Sequence, residues 1–356
     1  MILILNCGSQ SIKWKLFDDS LNFKKKGKQE VFNFDFKNYQ KVLIEELTKI
    51  KNDGGRTSII GHRVVFGGKR FREPIKITGK VLKELERFNK FAPLHNPFNI
   101  SGIKSAKKIF PEVQQWAVFD TEFFKDLPEE AKTYALPEIL RKKYGFLRFG
   151  FHGISHEYVA REAAKKLKKP FEKLKIITLH LGGGASICAV KNGKAIDISM
   201  GFTPMEGLVM MTRAGDLDPG IIIELSKKFS AQRVNEILNC QSGVKGICGL
   251  SDMRKVLREI KRGNKKAKLA LDIFIYYIKK YIGAYFTILN GCDVLVFTGA
   301  IGSGSGKIRN RICKNLKILQ RSKIISIETD EELAIAQKIW KNKNLSPSLS
   351  MNARRA

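Results

Sequence analysis

The sequence has no CxxC pair, no GxxxxGK[ST] phosphate loop and no apolar run long enough to cross a bilayer. Each absence excludes a class. The six cysteines (Cys7, Cys188, Cys240, Cys248, Cys292, Cys313) are scattered, and only Cys240 and Cys248 lie close together. That rules against a zinc ribbon or a disulfide framework and fits free thiols in a reducing compartment. The apolar stretches at 175–181 and 294–297 are strand-sized, too short to span a bilayer. Residues 2–5 are apolar, but Asn6 and Gly8 end the run, so no signal peptide is expected. A cytoplasmic protein without membrane contact is expected. Acidic residues are scarce: 34 against 65 lysines and arginines, a formal net charge of +31. The lysines run through 24–28, 165–169, 261–268 and 279–280 rather than forming one tail, and no aromatic-basic RNA motif accompanies them. They read as solvated helix faces, so nucleic acid is not an expected partner. A positive field would raise the local concentration of anionic substrates.

What is present gathers around residues 197–220, DISMGFTPMEGLVMMTRAGDLDPG. Its apolar residues keep neither a helical nor a strand period, so it reads as a long irregular loop, and such loops are usually functional. Arg213 sits in it, beside Thr212 and near Gly215. It could cap a helix or pair with Asp216 or Asp218, or it could hold a planar anion. A length of 356 residues suggests two domains of ordinary size or one large one.

Along the chain, residues 1–5 read as a buried strand. Asn6, Gly8, Ser9 and Ser11 form a polar turn, and Ile12, Trp14 and Leu16 alternate with Lys13 and Lys15 in a second strand. Such a hairpin turn can cradle phosphate oxygens. Residues 21–36 suggest further strands and 38–51 an amphipathic helix. The stretch TSIIGHRVVFGG reads as a strand broken at Gly61. Within it, Arg63 lies among apolar neighbours and needs an anion, either a structural aspartate or a substrate. Residues 79–91 are helical, and 91–103 form a rigid turn into a helix from about Ser101. Residues 115–124 are a strand ending at Asp120, where α/β active sites tend to lie, although Asp120 or Thr121 could equally cap a helix. His152 and His156 are four apart at a helix start. No third metal ligand accompanies them, which leaves His152 as a donor to an anion. Strand 175–181, turn 182–184 and strand 185–190 then echo the start of the chain about 175 residues later, hinting at a duplicated domain. Helices follow at 220–229, 231–239, 254–262 and 265–290. Residues 290–312 are a strand, a glycine-serine loop and a helix, a ready anion or nucleotide site. After a last strand, Thr329 or Asp330 caps a helix from Glu331, and 341–356 reads as a polar, frayed tail.

Two glycine/serine hairpins, a strand–glycine–helix loop, loop arginines and strand-end carboxylates, with no covalent nucleophile, suit phosphoryl transfer by positioning and charge neutralisation. The segments LILNCGSQSIK, GHRVVFGG, FAPLHNPFN, VFDTEFF, YALP, GFHGISHEYV, HLGGGASI, SMGFTPMEGL with TRAGDLDP, GLSDMR, IKKYIGAY, VFTGAIG and TDEELAIA, in this order, resemble the acetate kinase family over nearly the whole length. The resemblance implies two duplicated actin-like (ribonuclease H-like) α/β domains around a central cleft, one of residues 1–120 plus 332–356 and one of residues 121–331. It implies γ-phosphoryl transfer from ATP to acetate, giving acetyl phosphate and ADP. Magnesium, or manganese in its place, would assist, in a cytoplasmic homodimer.

By the same resemblance, Arg63 and Arg213 clamp the carboxylate and the migrating phosphoryl group. Asp120 orients the substrate and His152 contacts the phosphoryl. Val65, Leu94 and Pro204 line the methyl pocket. Ser9, Ser11, Lys13, His180, Gly182, Gly183 and Gly184 lie by the phosphates. Asp252, Met253, Arg254, Ala300, Ile301 and Gly302 flank the adenosine, and Asn6 and Glu331 serve the metal. The sequence departs from the family pattern at Phe66 (a histidine there), Gly183 (an asparagine), and Ser303 and Gly304 (a glutamate and an asparagine). It is also shorter after the first hairpin and between 312 and 323. The alternatives are a propionate or butyrate kinase, or a catalytically weakened nucleotide-binding homologue with a basic nucleic-acid-binding surface.

Overall fold

The structure is a computed structural model that describes residues 1–9, 11–31, 36–53, 55–90, 92 and 95–349. The chain divides into two compact units, Met1–Glu122 with Asp330–Ala356, and Phe123–Thr329.

The first unit is built on six strands: β1 (Ile2–Cys7), β2 (Ser11–Phe17), β3 (Phe23–Glu30), β4 (Ile59–Val64), β5 (Ile75–Lys76) and β6 (Gln114–Phe119). Their order is β3-β2-β1-β4-β6-β5. The hairpin strands pair antiparallel, whereas β1, β4 and β6 run parallel. Every β1 residue is buried, as expected of a strand covered on both faces. On one face Leu3, Leu5 and Ile60 pack with Tyr39, Leu43 and Leu47 of helix Phe36–Asp53. On the other, Ile4 meets the C-terminal helix Glu331–Leu349. There Gly61 does not break β4, contrary to the sequence expectation. It leaves room for that helix, because a Cβ would stand 2.5 Å from Ile339 Cδ1 and 2.6 Å from Ile4 Cδ1. Burying Ile335 and Ile339 contributes about 1.5–3 kcal/mol each, which anchors the helix on the sheet.

The second unit repeats this plan. Its strands are β7 (Ile176–Leu181), β8 (Ala185–Lys191), β9 (Lys194–Ile198), β10 (Val294–Thr298) and β11 (Lys323–Ser326), in the order β11-β10-β7-β8-β9. Here too an antiparallel three-strand meander continues into parallel strands. The duplication hinted at by the two glycine turns is a duplication of sheet topology.

Several expectations need correction. Lysines 24–28 lie not on a helix face but on β3, an edge strand, where charge discourages edge-to-edge pairing. Within 21–36 the described residues hold one strand, not several. The third helix starts at Asn96, five residues before Ser101, because Pro97 fits its first turn. The tail is helical to Leu349, and residues 350–356 lie outside the described residues. Asp330, not Thr329, provides the final cap, its Oδ1 accepting from Leu333 N at 2.9 Å.

Candidate active site

In the first unit, β4 carries Arg63 and the end of β6 delivers Asp120. Parallel pairing puts Arg63 opposite Val118, and Asp120 N donates to Val64 O at 3.0 Å. Arg63 then donates to both Asp120 oxygens, from Nε at 2.9 Å and from Nη2 at 2.6 Å. Its Nη1 lies 3.0 Å from Glu331 Oε2 and donates to Asn6 Oδ1 at 3.3 Å. Side-chain exposure is 17% for Arg63 and 1% for Asp120, so this is a nearly dry bidentate pair. Burial alone would lower the Arg63 guanidinium. Asp120 first and Glu331 second hold it above its ordinary value. Of the two partners considered for Arg63, a structural aspartate or a substrate, the structure shows an aspartate, Asp120. Asn6 Nδ2 also donates at 3.1 Å to Glu331 Oε2 and to Glu332 Oε1, and Lys15 pairs with Asp330 at 2.7 Å.

Asn96 and Asn99 fix the neighbouring backbone. Asn99 accepts from Val65 N at 3.0 Å and donates to Cys7 O at 2.7 Å, while Asn96 holds both N and O of Phe66. Val65 is buried. Phe66 packs edge-on against Phe88, an apolar use of a position where the family pattern has histidine. Leu94 lies outside the described residues. Ser9, Ser11 and Lys13 sit in and after the β1–β2 turn, which Gly8 N closes onto Ser11 O at 2.9 Å. Lys13 is exposed.

In the second unit His152 precedes helix Gly153–Leu167 with φ 61°, a left-handed conformation uncommon for residues other than glycine. Such strain costs about 1–3 kcal/mol and collects at functional sites. Its Nδ1 is 2.8 Å from Ser186 Oγ, and its ring stacks on His180 with centroids 4.3 Å apart. His180 Nδ1 is 2.8 Å from Ser155 Oγ. The loop after β9 brings Arg213 to the same place. A Cβ built on Gly184 would lie 3.5 Å from His152 Nε2 and 3.6 Å from Arg213 Nη1. The glycine therefore keeps open a point on which both heads converge.

Arg213 Nη1 also donates to Pro204 O at 3.3 Å. Burial lowers the Arg213 guanidinium from its ordinary value. Neither aspartate considered for it is spent on it in the contacts seen. Asp216 accepts from Gly207 N at 2.8 Å and Tyr281 OH at 2.7 Å, and Asp218 caps the next helix. Glu206 accepts from Arg148 and Tyr134, which pins the loop at its middle, and Gly201 leaves the space that this contact needs.

The two glycine loops also meet within this unit. Gly299 has φ 77°, and a Cβ there would stand 2.6 Å from Leu181 O. Gly302 lies over Leu181 as well. The turn Gly182–Gly184 and the short helix Gly299–Gly302 with Ala300 and Ile301 therefore flank the end of β7. Arg309 donates back to Gly302 O and Ser303 O at 2.9 and 2.7 Å. Asp252 caps helix Met253–Lys261, and the hydrogen bonds from Arg254 hold its carboxyl down to about 2. Met253 is buried and Arg254 exposed.

Sequence reading missed Ser186, Thr178 and Ser155, the asparagines 96 and 99, Glu332, and Arg309. Polar residues inside otherwise apolar strands (Ser186, Thr178) were the available signal. As for metals, no cluster of three or more His, Cys, Asp or Glu side chains that could hold one exists among the described residues. Asn6 Oδ1 and Glu331 Oε2, both turned toward Arg63, offer two hard oxygen donors. That is a poor cage but a fitting partial site for magnesium carried mainly by nucleotide phosphates.

The profile of the acetokinase family matches residues 19–342. The chain belongs to the acetokinase family. An acetate kinase of Helicobacter acinonychis is 41% identical over 388 residues, 94% of this chain and 97% of that one. The alignment is longer than this chain, so the relative carries segments that are absent here. A crystal structure of Porphyromonas gingivalis acetate kinase superposes with a TM-score of 0.83 at 35% identity, covering 94% of this chain and 98% of that one. A propionate kinase from Francisella tularensis gives 0.86 at 37%, covering 95% and 98%. The duplicated sheets are those of the family's actin-like α/β fold. No described helix is long and apolar enough to cross a membrane.

Proposed function

We propose that this protein is an acetate kinase that reversibly transfers the γ-phosphoryl group of ATP to acetate, giving acetyl phosphate and ADP. The observation that carries the reading is the convergence of His152 Nε2 and Arg213 Nη1 on the space left by Gly184. An arginine and a histidine aimed at one point suit the oxygens of a phosphoryl group in flight.

Arg213 and Arg63 offset the repulsion between the acetate carboxylate and the triphosphate. Asp120 holds Arg63 by its fork and orients the carboxylate. An acetate oxygen attacks the γ-phosphorus in line while the β–γ bridging oxygen leaves with ADP. Ser9, Ser11, Lys13, His180 and the turn Gly182–Gly184 hold phosphates, and Asp252, Met253, Arg254, Ala300, Ile301 and Gly302 hold the adenosine. Asn6 and Glu331 would help hold magnesium, or manganese in its place, which supplies charge neutralisation on the β- and γ-phosphates. On this reading the first domain is 1–120 with 332–356 and the second is 121–331 with the nucleotide loops. The enzyme is a cytoplasmic homodimer whose acyl phosphate feeds acetyl-CoA synthesis.

Propionate is the second reading, favoured by the likeness to the Francisella propionate kinase. Val65 and Pro204 would line the acyl pocket, and one methylene changes selectivity only about 10- to 200-fold. Measured kcat/KM for acetate, propionate and butyrate decides the matter. Acetate is expected to lead, and a lead for propionate would replace the first reading with the second. The sequence carries no aromatic-basic RNA motif in support of the nucleic-acid-binding alternative.

A further inference from the structure

Ser186 is the second residue of β8, fully buried, between two histidines. Its Oγ is 2.8 Å from His152 Nδ1 and 2.7 Å from His156 Nε2. His156 Nδ1 in turn is 2.7 Å from Thr178 Oγ1. The chain Thr178–His156–Ser186–His152 therefore has three links, each of which needs one proton. Burial, and then His180, hold His156 well below its ordinary range, so its ring is neutral and carries a single N–H. Three proton orders fill all three links, but the one in which both histidines donate to Ser186 leaves its buried hydroxyl proton without an acceptor, so two orders remain.

In the first order, Thr178 O–H donates to His156 Nδ1, His156 Nε2–H donates to Ser186 Oγ, and Ser186 O–H donates to His152 Nδ1. A neutral His152 then carries its proton on Nε2, facing the point beside Gly184. In the second, every donor is reversed. His152 Nδ1–H then points inward, and Nε2 can donate only if the ring is a cation. Arg213 Nη1 stands within 3.6 Å of the same point as His152 Nε2, and a second cation there is disfavoured.

We propose that Ser186 is a positioning residue which, with His156 and Thr178 behind it, fixes His152 as the neutral Nε2–H tautomer and so presents a donor to the transferring phosphoryl group. No proton leaves the chain. The relay sets direction, as the orienting partner of a catalytic imidazole does. The catalytic half of this inference rests on the phosphoryl-transfer reading above.

The test is nitrogen NMR of the whole protein with ring-15N histidine, with His152 identified by the signal lost in His152→Gln. The wild type should show a single neutral Nε2–H tautomer for His152. In Ser186→Ala the Nδ1–H tautomer should appear, and kcat should fall about 10- to 100-fold with KM within about twofold, as for other supports of a functional imidazole. Thr178→Val, close in shape, removes the far donor and should shift the tautomer ratio in the same direction, which keeps the test intact if Ser186→Ala does not fold. An Nδ1–H His152 in the wild type, or an unchanged tautomer and kcat in Ser186→Ala, would overturn the proposal. A wild type with the expected tautomer that forms no acyl phosphate would sink the kinase reading and leave the relay standing.

Discussion

Arg63 and Arg213 are both half-buried guanidinium groups, and their removal should act differently on stability. Arg63 satisfies the fork of Asp120, so Arg63→Ala leaves a carboxylate that is 1% exposed without its cation. Breaking such a pair should cost about 3 kcal/mol in urea unfolding, along with activity. Arg213 is held at the cost of desolvation, which lowers its guanidinium from the ordinary value. Arg213→Ala should cut kcat about 100- to 1000-fold while unfolding stability stays level or rises, measured on the same preparation. Equal losses of stability in the two variants would contradict this division. At this scale the sequence carried far. Arg63 in an apolar setting demanded an anion, and Asp120 at a strand end was a credible one. That the two are partners was not legible, because the pairing depends on β4 and β6 being neighbours. The Ser186 relay was hidden for the same reason.

Elements were predicted well where periodicity is strong and poorly where a glycine is ambiguous. Gly61 reads as a strand breaker from its type alone. Its role in seating Ile335 and Ile339 appears only when the C-terminal helix, some 270 residues on, lies on the sheet. The 197–220 stretch was recognisable as a loop, but its fastening was not. Gly201 gives space to Glu206 between Tyr134 and Arg148, and an added methyl would overlap Glu206 Oε2. Gly201→Ala should therefore reshape the loop that carries Pro204 and Arg213. The acetate KM should rise more than the ATP KM, with a stability loss of about 1–3 kcal/mol. Equal changes in both KM values would mean that the loop does not serve the carboxylate.

The whole molecule carries +31, and the structure accounts for part of it as lysines on edge strand β3 and on exposed helix faces. Spread charge of one sign repels itself, so added salt should raise the urea midpoint at neutral pH. A fall would point to ion pairs as the dominant electrostatic effect. Two buried histidines set the acid limit. His62, 2.8 Å from the Gln115 amide, is pushed down to about 4 by burial, and burial likewise holds His156 well below its ordinary value. Unfolded histidine titrates near 6.5, so below that pH the unfolded chain takes up protons that the native rings refuse. Stability is thus intact above pH ~6.5 and declines as pH falls toward 4, by about 3 kcal/mol for His62 alone. His62→Gln should flatten that slope, and an unchanged slope would show that His62 is not its source.

Membership of the acetokinase family and the duplicated actin-like sheets make phosphoryl transfer to a small carboxylate the central claim. Its most direct measurement is acyl phosphate trapped as the hydroxamate, from purified protein with Mg-ATP and acetate. The account predicts hydroxamate from the wild type and almost none from Arg213→Ala. A folded wild-type protein that binds ATP yet yields no hydroxamate from acetate, propionate or butyrate would contradict it.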